Sequence, residues 1–140
     1  MVFDTVVLAY ALLGVPRFRE ESLKAIGKAK EIWVPDILFA ELANVVWQWI
    51  LHRGVPLKRG LQVLRDVESL VTEAVKSSRL SEYALDLAVS HRHPVYDTLF
   101  VALASARNTK VISYDKRLQT LFPDSVISVE DFLKTGGPAG

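Results

Sequence analysis

Apolar positions in this chain fall into five short runs separated by longer, periodic stretches. The short runs, at 1–3, 31–34, 71–76, 110–114 and 126–129, are too brief for helices and mostly β-branched or aromatic, so they predict strands. Between them the apolar residues recur at helical spacing. Helices are predicted over 5–13, 17–30, 35–52, 57–70, 81–92 and 116–122, with one turn at 130–134. A further helix opens at Tyr96-Asp97-Thr98 and is broken at Asn108-Thr109. That helix and 5–13 are apolar on nearly every side, which predicts burial. In 35–52, Leu38, Leu42, Val45, Val46, Trp47, Trp49 and Ile50 cover most of the circumference. Glu41, Asn44, Gln48 and His52 are left as one thin polar stripe. This helix is expected to be covered on two sides, by the chain's own core and by a second subunit. Asp36 is positioned to act as its N-cap. Gly14-Val15-Pro16 and Gly54-Val55-Pro56 each end one helix and start the next.

Short apolar strands alternating with helices predict an α/β protein, with a mostly parallel sheet covered on both faces. At 140 residues the chain fits one domain, 1–135, followed by a flexible Gly/Pro-rich end at 136–140. Half the residues are hydrophobic and 24% are charged, a composition that folds. The 17 basic and 16 acidic residues leave a net charge of +1, so only a local patch could attract a nucleic acid. The absence of cysteine excludes disulfides, thiolate zinc sites and cysteine nucleophiles, and suits a reducing compartment. The apolar start has no basic n-region and carries Asp4, which makes a poor secretory leader; no membrane span is expected.

The candidate chemistry is acidic. Asp4 and Asp115 follow predicted strands, Asp97 opens a buried helix, and Glu41 points from a helix that is otherwise nearly all apolar. Ligands of open parallel sheets bind beyond the carboxyl ends of the strands, which places Asp4 and Asp115 on one rim. Each aspartate taken alone is equally what an N-cap requires. If the four converge, their mutual repulsion calls for a neutralising cation. An all-oxygen donor set selects Mg2+ or Mn2+ over zinc or copper. Such an ion binds phosphate oxygens and activates water, so the reaction class is metal-assisted hydrolysis of a phosphodiester.

The chain resembles the PIN-domain family, and within it the small VapC-type toxin ribonucleases. The resemblance rests on Phe3-Asp4-Thr5 after the first strand, Glu41 within Phe39-Ala40-Glu41-Leu42-Ala43-Asn44, Tyr96-Asp97-Thr98 before an apolar helix, and Ser113-Tyr114-Asp115 after the fourth strand. It implies a three-layer α/β/α fold with a five-stranded sheet in the order 3-2-1-4-5. It also implies an acidic catalytic pocket in which Asp4, Asp97 and Asp115 ligate Mg2+ or Mn2+ and Glu41 completes the set. Ser113, Thr5 and Asn44 would support these carboxylates, and Arg92, Lys116 and Arg117 would contact substrate. The implied activity is endonucleolytic hydrolysis of single-stranded RNA by the cytoplasmic toxin of a toxin–antitoxin pair. The implied partners are a cognate antitoxin and a second copy of the chain; Trp47, Trp49 and Ile50 fit a dimer face and equally fit plain core packing. One position departs from the pattern: the family often carries Ser or Asn two residues after the first Asp, where this chain has Val6. That departure sustains an alternative, a PIN-like interaction module that dimerises and binds a partner with little or no catalysis. A phosphatase reading would need an aspartate at Val6.

Two other signals carry less. His91-Arg92-His93 does not share a helical face and reads as a solvated turn rather than a metal pair. The basic clusters Arg17, Arg19, Lys24, Lys28, Lys30 and Arg53, Lys58, Arg59 read as solvated helix faces that could track phosphates.

Overall fold

The structure, a computed structural model, describes residues 1–136. Five short strands, β1 (Val2–Phe3), β2 (Trp33–Pro35), β3 (Glu73–Val75), β4 (Val111–Ser113) and β5 (Val126–Ser128), form one sheet. Its order is β3-β2-β1-β4-β5, as expected, and every neighbouring pair is parallel. β1 has two residues yet sits at the centre. Val2 and Phe3 are wholly buried, and Phe3 aligns with Ile112 of β4. Backbone bonds flank it on both sides: Asp4 N–H donates to Ile112 O at 3.0 Å, and Trp33 N–H to Met1 O at 3.0 Å.

Eight helices connect and cover the strands among the described residues: α1 (Thr5–Leu13), α2 (Arg19–Ala29), α3 (Leu38–Arg53), α4 (Leu57–Leu70), α5 (Ser81–His91), α6 (Val95–Ala106), α7 (Lys116–Leu121) and α8 (Val129–Lys134). α6 lies against β1, β2 and β4, and α5 packs on α6. α1 packs against α2, α3 and α4 in the opposite layer. The pattern of burial follows the hydrophobic one: every residue of α6 from Thr98 to Ala104 is buried. Phe100 and Leu103 on this helix each contribute on the order of 1.5–3 kcal/mol by leaving water. The Thr98 hydroxyl donates to Ala84 O at 2.7 Å and ties α6 to α5. Gly14 and Gly54, at φ of 72° and 68°, end α1 and α3 in the left-handed conformation that glycine adopts without Cβ strain.

Several sequence expectations are corrected. Asp36 does not cap α3. Its N–H is bonded to Val75 O on β3, which turns the carboxylate toward Ser77, whose N–H and hydroxyl donate to it at 3.0 and 2.6 Å. The expected cover of α3 by the chain's own core is present at Leu38, Leu42 and Val46, while Trp47 is 55% and Leu51 59% exposed. Part of the basic clusters is structural rather than free. Arg59 donates to Leu13 O at the end of α1, and Lys28 Nζ donates to Phe132 O and Thr135 O after α8. The expected flexible end, beyond Gly136, lies outside the described residues.

α4 meets α3 through Gly60, where an added Cβ would fall 2.7 Å from Val46 Cγ1 and 3.0 Å from Ile50 Cδ1. Gly27 in α2 has open space in the same place. The two glycines should therefore respond with opposite sign in thermal melts. Gly27→Ala is expected to gain up to about 1 kcal/mol from helix propensity, and Gly60→Ala to lose about 1–3 kcal/mol from overpacking. A stabilised Gly60→Ala protein would contradict the close α3–α4 contact.

Candidate functional site

The sheet order makes β1 and β4 neighbours whose outgoing connections lead to opposite halves of the sheet. This is the switch point at which open parallel sheets bind ligands. Asp4 directly follows β1 and Asp115 closely follows β4. Both do the local work of N-caps. Asp4 Oδ1 accepts Thr5 N–H at 2.8 Å, and Asp115 Oδ1 accepts Arg117 N–H at 2.9 Å and Leu118 N–H at 3.1 Å. The cap reading and the site reading are thus compatible: capping fixes each carboxylate at the same rim. Asp97 is not a cap. It sits in the first turn of α6, behind Pro94.

One cleft of about 390 Å³ is lined by Asp4, Thr5, Val6, Glu41, Asn44, Val45, Asp97, Tyr114 and Asp115. The four carboxylates expected to converge do so, and none of the lining residues is basic. Their oxygens are held by neighbouring hydroxyls. Ser113 Oγ donates to Asp4 Oδ2 at 2.6 Å and accepts Asp115 N–H at 3.0 Å, linking the two strand-end acids. Thr5 Oγ1 donates to Glu41 Oε1 at 2.8 Å. Asn44 lines the cleft and is exposed.

Crowding of like charges in a poorly solvated place favours the protonated acids. Burial pushes the Asp4 carboxyl up to about 6, against the Ser113 hydrogen bond, and Asp97 and Asp115 push the same way. Burial likewise pushes Glu41 up to about 7, with Asp4 and Asp97 adding to it and Thr5 opposing. Two acids so shifted in one cleft make it the candidate functional site. The donor set fits a hard divalent cation: all oxygen, formally anionic, and with no cation of the chain's own among the lining residues.

The basic residues divide. Lys116 lines an adjacent cleft with Arg17, Phe18, Tyr114 and Gln119, and Tyr114 borders both clefts. Arg92 and Arg117 are exposed and line neither. Sequence reasoning missed His93. It is buried, not part of a solvated turn, and its Nε2 lies 2.7 Å from Asp97 Oδ2. One donor atom from each of His93, Asp97 and Asp115 lies within 4.8 Å of the others. The available signal was the spacing of four from His93 to Asp97 across Pro94, which pairs a residue just before a helix with one in its first turn. His91 does not join it: its ring packs on Phe122.

Comparison with known proteins gives the family. The family model for the PIN domain matches residues 1–121. Ribonuclease VapC3 of Pyrobaculum aerophilum is 32% identical over 122 residues, 82% of this chain and 90% of that protein. The crystal structure of PAE2754 from Pyrobaculum aerophilum matches with a TM-score of 0.73 at 17% identity, covering 94% of this chain and 85% of the other. VapBC2 from Rickettsia felis, bound to a DNA fragment from its promoter, matches with a TM-score of 0.66 at 17% identity, covering 91% and 98%. At that identity the two structures speak for the fold. The family model spans most of the chain and the relative in sequence spans four-fifths of it; the chain belongs to the PIN domain family.

Proposed function

We propose that the chain is a divalent-metal-dependent endoribonuclease that hydrolyses single-stranded RNA. The observation that carries this reading is the cleft lined by Asp4, Glu41, Asp97 and Asp115 with no basic residue in its lining. Asp4, Asp97 and Asp115 would hold Mg2+ or Mn2+, with Glu41 completing the set. When bound, the ion supplies charge neutralisation for the phosphodiester and a more acidic water. Glu41 Oε1 accepts from the Thr5 hydroxyl, which leaves Oε2 to accept a proton. Thr5 and Ser113 fix the carboxylates, and Asn44 extends the polar wall. Lys116, with Arg92 and Arg117 further out, would meet the RNA backbone.

The relative named Ribonuclease VapC3 and the VapBC2 complex support the toxin of a toxin–antitoxin pair, whose partner is a cognate antitoxin. Residues 1–135 would act as one domain, in the cytoplasm; among the described residues no helix is long and apolar enough to cross a membrane. The exposed Trp47 and Leu51 of α3, with half-buried Trp49 and Ile50 beside them, would supply a face for a second copy.

Purified protein should cleave RNA with Mg2+ or Mn2+ and stop when the metal is chelated. Asp97→Asn should lose about a hundredfold or more in rate, the scale of removing a group that stabilises developing charge. Cleavage that survives chelation, or an unimpaired Asp97→Asn protein, would falsify the nuclease reading. Partner binding without metal uptake would favour the interaction module instead.

The raised carboxyls also set a pH dependence. Asp4 moves from 3.8 to about 6 and Glu41 from 4.5 to about 7, so between those values the folded chain binds more protons than the unfolded one. Stability from this source is present below the unfolded values and is lost as pH rises through the folded ones. Metal-free protein should melt at a lower temperature at about pH 8 than at about pH 5, with a smaller difference in Glu41→Gln, and Mn2+ at about pH 8 should raise the melting temperature. An equal slope in wild type and Glu41→Gln contradicts the shift assigned to Glu41.

A further inference from the structure

We infer that His93 is a positioning residue for Asp97: its buried ring donates from Nε2 to Asp97 Oδ2 and thereby aims Oδ1 into the acidic cleft. The inference deepens the metal-pocket reading above and rests on it. The His93 side chain is only 6% exposed, and that of Asp97 is 34% exposed, so the contact runs from the protein interior to the cleft wall. The donor–acceptor distance of 2.7 Å is that of a charge-assisted hydrogen bond.

The backbone around His93 is built to deliver the ring. Arg92 closes α5 at φ 52°, a left-handed conformation that strains a non-glycine residue. That turn lets both Arg92 N–H and His93 N–H bond to Ala88 O. Pro94 then fixes the next φ at −57° and starts α6. In a common capping arrangement an acidic residue in the first turn reaches back to the N–H of the cap residue. Pro94 has no N–H, so the Asp97 carboxylate is free to turn to His93 instead. Strain at Arg92 and a missing donor at Pro94 thus lead to the same contact.

The ring's other nitrogen decides the tautomer. His93 Nδ1 is buried and has no hydrogen-bond partner among the described residues. A proton on Nδ1 would be an unpaired buried donor, whereas a proton on Nε2 satisfies Asp97. A ring of that form brings a donor to Asp97. Asp97 Oδ1 has no partner among the described residues and remains for the cleft. Hydrogen bonds of this kind to ligating carboxylates typically carry 10–100-fold in metal affinity.

The full chain allows a test with two readouts. In metal-free protein, 15N–1H spectra of the three histidine rings should show one ring, lost in His93→Gln, with its proton fixed on Nε2 and perturbed by Asp97→Asn. Calorimetry with Mn2+ should show about 10–100-fold weaker binding for His93→Phe. His93→Gln, which keeps a donor near the same place, should recover most of it. An Nδ1–H or freely averaging ring overturns the inference. So does His93→Phe binding Mn2+ as tightly as wild type, which leaves the metal-pocket reading standing. Equal loss in both variants, with the Nε2 proton displaced by Mg2+, replaces positioning by direct ligation. Wild-type protein that takes up no Mn2+ overturns the pocket reading and the role of His93 together.

Discussion

Four carboxylates in one cleft repel, and the fold holds them there. In the absence of a basic side chain among the lining residues, the cost of that arrangement falls on the acids themselves, two of which keep their protons toward neutral pH. Much of the local structure can be read as a means of bearing this repulsion. Asp4 and Asp115 are each bonded to backbone amides at a helix start, where the amide dipoles favour negative charge. Hydroxyl groups of Thr5 and Ser113 take further carboxylate oxygens. Asp97 is bonded to a buried imidazole. Each acid therefore has at least one of its oxygens committed to the protein, and Asp4 has both.

That geometry needs a stiff frame, and the frame is short. β1 has two residues and β4 three, so neither gains much from length. Their position is fixed instead by burial on both faces, between α6 on one side and α1 on the other. Close-packed protein interiors resist deformation and transmit strain. A carboxylate placed at the end of such a strand inherits the rigidity of the core beneath it. The more mobile elements of a protein this size are its surface loops, and all four acids avoid them by sitting just beyond strand ends or in a first helical turn. Glu41 reaches the cleft from α3, whose covered face is anchored by Leu38, Leu42 and Val46.

The fold was legible in the sequence because its signals are local. Short β-branched runs, continuous apolar helices and Gly-Val-Pro punctuation each depend on neighbours in the chain, and the element order followed from them. The acids were legible as junction residues, and the resemblance to PIN domains carried them into one pocket. What the sequence did not show was partner choice across the chain. Asp36 looks like a cap until Val75 takes its backbone and Ser77 its side chain. Arg59 and Lys28 look like solvated charges until the carbonyl ends of α1 and α8 come within reach. His93 looks like half of a polar turn because burial is a property of the folded molecule; nothing in His91-Arg92-His93 tells which ring the core will enclose.

The position of Val6 can be argued on the same grounds. The resemblance to PIN domains leads one to expect a serine or asparagine there, and the apolar side chain in its place removes a group that could support a ligand or a water. In the folded chain, support for Asp4 comes from elsewhere. Asp4 Oδ1 is held by Thr5 N–H, and Oδ2 by Ser113 Oγ from the neighbouring strand. The Thr5 hydroxyl goes to Glu41. Both oxygens of Asp4 therefore have a donor without any contribution from position 6. Val6 still lines the cleft, where its effect is to remove a polar contact for a ligand or water and to leave the wall drier. A drier wall adds to the burial that chiefly raises Asp4 and Glu41, and strengthens the repulsion that adds to it. The substitution thus alters the electrostatic setting of the acids more than their placement.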